Sequence, residues 1–140
     1  MQTLPNPAAF VVAGKAKFTI VSKRSGARFT YRVRAPKDAK PNDTIRFVSV
    51  LNGPDNMTHY GYLGFIKDGA FIWGGRKAKI AKDAPSAVAF DWFWRHLPTD
   101  ATQALDVFHE GACGRCGRTL TVPESIASGF GPECIRYVCA

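Results

Sequence analysis

The sequence predicts an α+β fold: an antiparallel β-sheet of four to five strands packed on one apolar helix, plus a small C-terminal zinc module. Three observations predict it. Several segments between Lys17 and Trp73 alternate apolar and polar residues and are separated by turn clusters, as antiparallel hairpins do. The stretch from Ala87 to Leu97 is long and apolar enough for a buried helix, and Pro98 stops it. Finally, Cys113-Gly-Arg-Cys116, followed after a short insert by Cys134, has the spacing of metal ligands. On this reading residues 1–100 form the sheet with its helix, and residues 101–140 form the zinc module.

The first hairpin is the clearest element. Lys17-Phe18-Thr19-Ile20-Val21 alternates, and Ser22 to Gly26 is a turn cluster ending in a residue that tolerates positive φ. Arg28-Phe29-Thr30-Tyr31-Arg32-Val33-Arg34 then alternates throughout. Phe29, Tyr31 and Val33 belong to a core, so Arg28, Thr30, Arg32 and Arg34 face away from it. Burial of the apolar side requires a register that puts Lys15, Lys17 and Thr19 on that same polar face.

The middle of the chain continues in β style. Ala35 to Asp43 reads as a loop, Thr44 to Leu51 as a strand and Asn52 to Asn56 as a turn. His59 to Ile66 and Ala70 to Trp73 form a second hairpin around Lys67-Asp68-Gly69. Tyr60, Tyr62 and Trp73 are either cross-strand packing residues or stacking platforms for bases. The helix after it is capped by Asp83 or Ser86, with Pro85 near its start. It is apolar nearly all round, so it is expected to lie between the sheet and the zinc module; the alternative is that it offers Trp surface to a partner. His96 suits the helix C-terminus and needs no catalytic role. Gly74-Gly75-Arg76-Lys77 lacks the spacing of a phosphate loop.

Charge separates the parts. The net charge is +8. Residues 1–50 carry ten lysines and arginines against two aspartates. Residues 51–100 balance at +1 and residues 101–140 at −1. The excess therefore belongs to the first third and to the face of its hairpin. Such a face is either a solvated outer surface that discourages edge pairing or a surface that tracks phosphates. The scarcity of acidic residues there favours the second, with Lys15, Lys17, Arg28, Arg32 and Arg34 as the nucleic-acid-binding residues. No segment approaches the roughly 20 apolar residues that cross a bilayer, and the first residues show no secretory signal. The expected compartment is therefore reducing.

That setting argues against two disulfides among the four cysteines, and the Gly and Arg flanks of Cys113 and Cys116 argue against a redox pair. With zinc, a tight turn presents Cys113 and Cys116, and Cys134 follows Pro132 at a helix start. The fourth ligand is His109 or Cys139. His109 can fold back from the end of a short strand, Leu105 to Phe108, whereas helical geometry turns Cys139 about 140° away from Cys134. A site closed by three thiolates and one imidazole has a structural role, and no nucleophile-and-base ordering elsewhere suggests an enzyme. Were only three protein ligands bound, a zinc hydrolase or deaminase would return, although the His109-Glu110 order lacks the His-x-Glu of deaminases.

The run His-Glu-Gly-x-Cys-Gly-Arg-Cys-Gly-Arg-x-Leu-Thr-x-Pro-Glu-Ser-Ile-x-x-Gly-x-Gly-Pro-x-Cys, from His109 to about Ile135, resembles a small zinc-binding domain of unknown function found in bacteriophage and mobile-element proteins. The resemblance implies His109, Cys113, Cys116 and Cys134 as the ligand set, Zn²⁺ as the cofactor and a phage or prophage source. It implies no activity. The N-terminal part is more loosely similar to the partner domain of such phage proteins. The expected function is a non-enzymatic accessory protein that binds DNA or RNA through its basic sheet face in the host cytoplasm. The alternative is an inhibitor that binds a host defence protein through its aromatic surface.

Overall fold

The computed structural model describes residues 4, 6–38, 40, 44–54, 59–97 and 104–138. Its centre is one antiparallel sheet of six strands: β1 (Lys15–Ser22), β2 (Arg28–Arg34), β3 (Arg46–Leu51), β4 (Tyr60–Lys67), β5 (Ala70–Trp73) and β6 (Leu105–His109). Their spatial order is β5-β4-β3-β2-β1-β6. The first five strands form a meander that includes both expected hairpins, β1–β2 and β4–β5. The sixth exceeds the four or five expected. The short strand assigned to the zinc module closes the sheet against β1, with Phe18 opposite His109 and Ile20 opposite Val107. Residues 98–103, where the two-part division falls, lie outside the described residues.

The turn from β4 to β5 shows how local chemistry fixes register. Asp68 has φ 49° and Gly69 has φ 82°, the pair of left-handed residues that a two-residue hairpin needs to match strand twist. Further along β4, the pairing with β3 shifts between Val48 and Ser49. Beyond the shift, Phe65 stands opposite Phe47 while Ile66 is buried.

One face of the sheet carries Ala16, Phe18, Ile20, Tyr31, Val33, Val48 and Val50, all buried. Two helices close it. Helix α1 (Pro7–Val11) is capped by the Asn6 side chain, which accepts from Ala9 N, and it sends Phe10 and Val11 into the core. Five residues are too few for a readable hydrophobic period, so α1 is not legible from local pattern. Helix α2 (Pro85–His96) packs Ala87, Phe90 and Phe93 downward. The Phe90 ring lies 5.0 Å from Tyr31 and 4.8 Å from Phe71, and Phe93 lies 6.0 Å from Phe18. Each such aromatic contributes about 1.5–3 kcal/mol by leaving water. The Tyr31 hydroxyl donates to Ser86 O at 2.6 Å, which pins β2 to the first turn of α2. Burial pushes that hydroxyl's pKa far up.

Two expectations about α2 change. Neither Asp83 nor Ser86 caps it: Ala84 occupies that place without a side-chain bond, and Pro85 takes the first helical position, where its missing N–H costs nothing. Nor is the helix sandwiched. Val88 is 54% exposed and Trp92 37%, with His96 stacked on Trp92 at 4.3 Å. Its three buried residues recur at three-residue spacing and cover the sheet, Trp94 packs half-buried against the same core, and Val88 and Trp92 stay outside. The Pro98 stop lies outside the described residues.

Candidate functional site

The C-terminal region is built from backbone hydrogen bonds around the cysteines. After β6 the chain turns so that Cys113 N donates to Arg118 O at 2.8 Å and Leu120 N donates to Gly111 O at 2.8 Å. Gly117 N closes the knuckle onto Cys113 O at 2.9 Å. Two short helices follow, α3 (Pro123–Ser128) and α4 (Cys134–Val138). Helix α3 ends at Gly129, whose φ of 83° is the left-handed cap conformation, and Gly129 N returns to Ser125 O. The turn after it delivers Cys134 to the knuckle.

The Sγ atoms of Cys113, Cys116 and Cys134 lie within 4.8 Å of one another. Cys113 and Cys134 are buried, Cys116 is half-buried, and none of the three is in a disulfide. Thiolates about 2.3 Å from one tetrahedral ion need such a separation. The surroundings suit thiolates. Gly131 N donates to Cys113 Sγ at 3.4 Å and the Arg115 guanidinium donates to Cys134 Sγ at 3.5 Å. Burial alone raises the Cys113 pKa, but amide donors of Cys116, Gly131 and Arg115, with the Cys116 thiol, outweigh it and bring the thiol down to about 7. Cys134 goes the other way, raised by burial and by its two sulfur neighbours against the pull of Arg115. Three cysteines so placed can hold a metal ion.

His109 is not brought into that group. Its ring is 4% exposed, Nε2 bonds Ile126 O, and Nδ1 accepts from Gly111 N at 2.9 Å. A neutral imidazole donates once and accepts once, so these two backbone bonds use both nitrogens. Its position in β6 explains this: the strand's alternation turns His109 to the core face, where Phe10 lies 6.1 Å away. His109 ties the knuckle to α3. Cys139, the other candidate, lies outside the described residues.

Phe10 is the residue at this site that the sequence reading missed. It touches Phe18 of the sheet at 6.4 Å and Phe130 of the C-terminal region at 5.7 Å. Gly114 and Gly129 leave space for its ring, since a Cβ on Gly114 would approach it to 2.7 Å and one on Gly129 to 2.9 Å. The signal was the Asn6-Pro7 helix start with an aromatic one turn later. Arg115 was also missed. It is stacked 4.4 Å over Tyr137 while it bonds Cys134.

The second site is the other face of the sheet. Lys15 stands opposite Arg34, Lys17 opposite Arg32, Thr19 opposite Thr30 and Val21 opposite Arg28. The five basic residues thus share one face, and the two threonine hydroxyls bond at 2.8 Å between them. Lys15, Arg28 and Arg34 are exposed; Lys17 and Arg32 are half-buried. The next strands continue the face with aromatics. Arg34 pairs with Phe47 and Phe47 with Phe65, while Arg32 pairs with Ser49 and Ser49 with Tyr62. The Tyr60 ring lies 4.5 Å under the Arg32 guanidinium and 5.6 Å from Lys17 Nζ. Burial, then Glu110, push its hydroxyl up to about 12 against Arg32 and Arg34. Burial, then the neighbouring Arg34, lower the Arg32 pKa. The edge strand brings one acid: Asp106 pairs with Val21 and lies 3.7 Å from Lys23. Trp73 belongs instead to the core side, with Nε1 donating to Ile80 O at 2.9 Å.

A family model described as a family of unknown function (DUF6011) matches residues 103–138, which include β6, the knuckle and all three clustered cysteines. No curated protein matches the chain, and no solved structure does. Among the described residues no helix is long and apolar enough to cross a membrane.

Proposed function

We propose that this chain is a non-enzymatic zinc-binding accessory protein that holds nucleic acid on its basic sheet face. The observation that carries the reading is the β1–β2 register. It sets Lys15 beside Arg34 and Lys17 beside Arg32, away from the core. Cations crowded in facing pairs repel one another, and a phosphate backbone relieves the repulsion while releasing its own counterions. Zinc is the metal we assign to Cys113, Cys116 and Cys134, because a thiolate set in a reducing compartment selects it, and a fourth protein ligand, His109 or Cys139, would close the site to the structural role of a non-enzymatic protein. Its role would be to brace the region that leans on α1 and the edge of the sheet. The C-terminal resemblance to domains of phage proteins supports a phage origin and action in the host cytoplasm.

The test is an Arg28→Ala, Arg32→Ala, Arg34→Ala triple variant, compared with wild type on DNA and RNA at several salt concentrations. Each phosphate contact removed should reduce the slope of log affinity against log salt by roughly 0.7 to 0.9. If wild type binds nothing at low salt, or the variant keeps both affinity and slope, the reading is wrong. A second reading is inhibition of a host protein through the aromatic surface. Exposed Val88 and Trp92, at the rim of a cavity of about 790 Å³ also lined by Ile20, Phe29 and Leu105, favour it. Such an interface would respond weakly to salt.

A further inference from the structure

We propose that the sheet face takes single-stranded nucleic acid in preference to duplex, with phosphates on the β1–β2 hairpin and bases stacked on Phe47 and Tyr62. This rests on the nucleic-acid reading above and names the form of the ligand. The basis is the pairing of cations with aromatics along the same rows of the face. Lys15, Arg34, Phe47, Phe65 and Ile72 follow one another across the sheet, strand by strand. Lys17, Arg32, Ser49 and Tyr62 form the next row. Adjacent strands are about 4.8 Å apart, so an aromatic ring lies one or two strand steps from a cation on each row.

A duplex cannot use both halves of such a face. Its base faces are stacked on one another inside, and a flat surface meets its phosphates and groove edges only. A single strand can turn its bases out while its backbone stays on the cations, and every base has a π face to offer. The platforms suit this. Phe47 is 42% exposed although it lies in the third of six strands, where an aromatic is usually covered. Its ring meets Tyr62 edge to face, with centroids 6.2 Å apart at 69°. Tyr62 is held from the side, because Gly74 leaves its ring so little room that a Cβ there would come within 2.7 Å. Burial raises the pKa of its hydroxyl, so the ring stays neutral beside the phosphates. Tyr60 has a different part: beneath Arg32 and near Lys17, it orients the cations between the two halves. The occupant must be a polyanion that also carries flat apolar groups, and single-stranded DNA or RNA has both.

The test uses the full, metal-loaded chain. Fluorescence anisotropy at one salt concentration would compare oligodeoxythymidine, oligouridine, a duplex of matched length and an abasic deoxyribose-phosphate strand of that length. The single strands should bind about tenfold or more tightly than the abasic strand, as loss of stacked bases predicts, and more tightly than the duplex. The DNA and RNA arms report whether the 2′-hydroxyl matters. Phe47→Leu, at an exposed position, should weaken single-strand binding about tenfold and leave the salt slope unchanged, because stacking is lost and phosphate contacts are kept. The abasic comparison needs no variant, so a folding defect cannot mask the answer. Equal binding of duplex, abasic and base-bearing strands would overturn the single-strand inference and leave the nucleic-acid reading standing. Binding of none of them would overturn both.

Discussion

The sheet and the cysteine knuckle are stabilised by different means. Beneath the sheet, Phe18, Tyr31, Phe90 and Phe93 form one aromatic stack, buried between strands and a helix of 12 residues. Among the described residues the knuckle region has helices of 6 and 5 residues and buries Cys113, Leu120, Ser125, Phe130 and Cys134. Helices that short do not persist on their own. The first region can fold on apolar burial. The second leans on Phe10 and on His109, and its three sulfurs can hold a metal ion. The basic face belongs to the first region, so the surface proposed to work lies apart from the cysteine cluster.

Metal removal should divide the two most sharply. In structural zinc sites the binding energy is folding energy, on the order of 10 kcal/mol. A chelator should therefore remove hydrogen-exchange protection from residues 111–137 while β1 to β5 and α2 stay protected. A single transition that takes both regions together would show that the knuckle is not a separate dependency. Phe10→Ala probes the joint itself. It removes a fully buried ring between the two regions and should cost about 3–5 kcal/mol, read as a lower midpoint in urea. If that cost were below about 1 kcal/mol, Phe10 would not be the bridge.

His109→Gln sharpens the comparison at the ligand set. The account expects zinc content per chain to stay the same and stability to fall by about 1–3 kcal/mol, through backbone groups left unpaired. Loss of zinc, measured by elemental analysis, would return His109 to the ligand set implied by the sequence. Cys139→Ser beside it separates the two candidates for the fourth position. The smallest effect should come from Trp92→Ala on the exposed side of α2. A change within about 0.5 kcal/mol is expected at such a surface, and nucleic-acid affinity should not move.

Much of this was legible from local pattern. The β1–β2 alternation fixed which residues share a face, because only one register buries Phe18, Ile20, Tyr31 and Val33 together. The cysteine spacing foretold the three-thiol group. What escaped depends on distant parts of the chain. Nothing local says that β6 pairs with β1, some 90 residues earlier. Strict alternation from Tyr62 would put Ile66 on the open face; the register shift in the β3–β4 pairing reverses that, burying Ile66 and setting Phe65 opposite Phe47. His109 read as a ligand because it lies close to the cysteines in sequence, yet its strand position turns it to the core and to Ile126 O.

The most direct measurement is an NMR titration of the zinc-loaded chain with a short oligothymidine at low salt, following backbone amides and arginine side chains. The account predicts the largest shifts at Lys15, Lys17, Arg28, Arg32 and Arg34 and at Phe47 and Tyr62, with residues 111–137 and the outer side of α2 nearly unmoved. Shifts gathered instead around Arg115, Arg118 and Arg136, or around Val88 and Trp92, would contradict it.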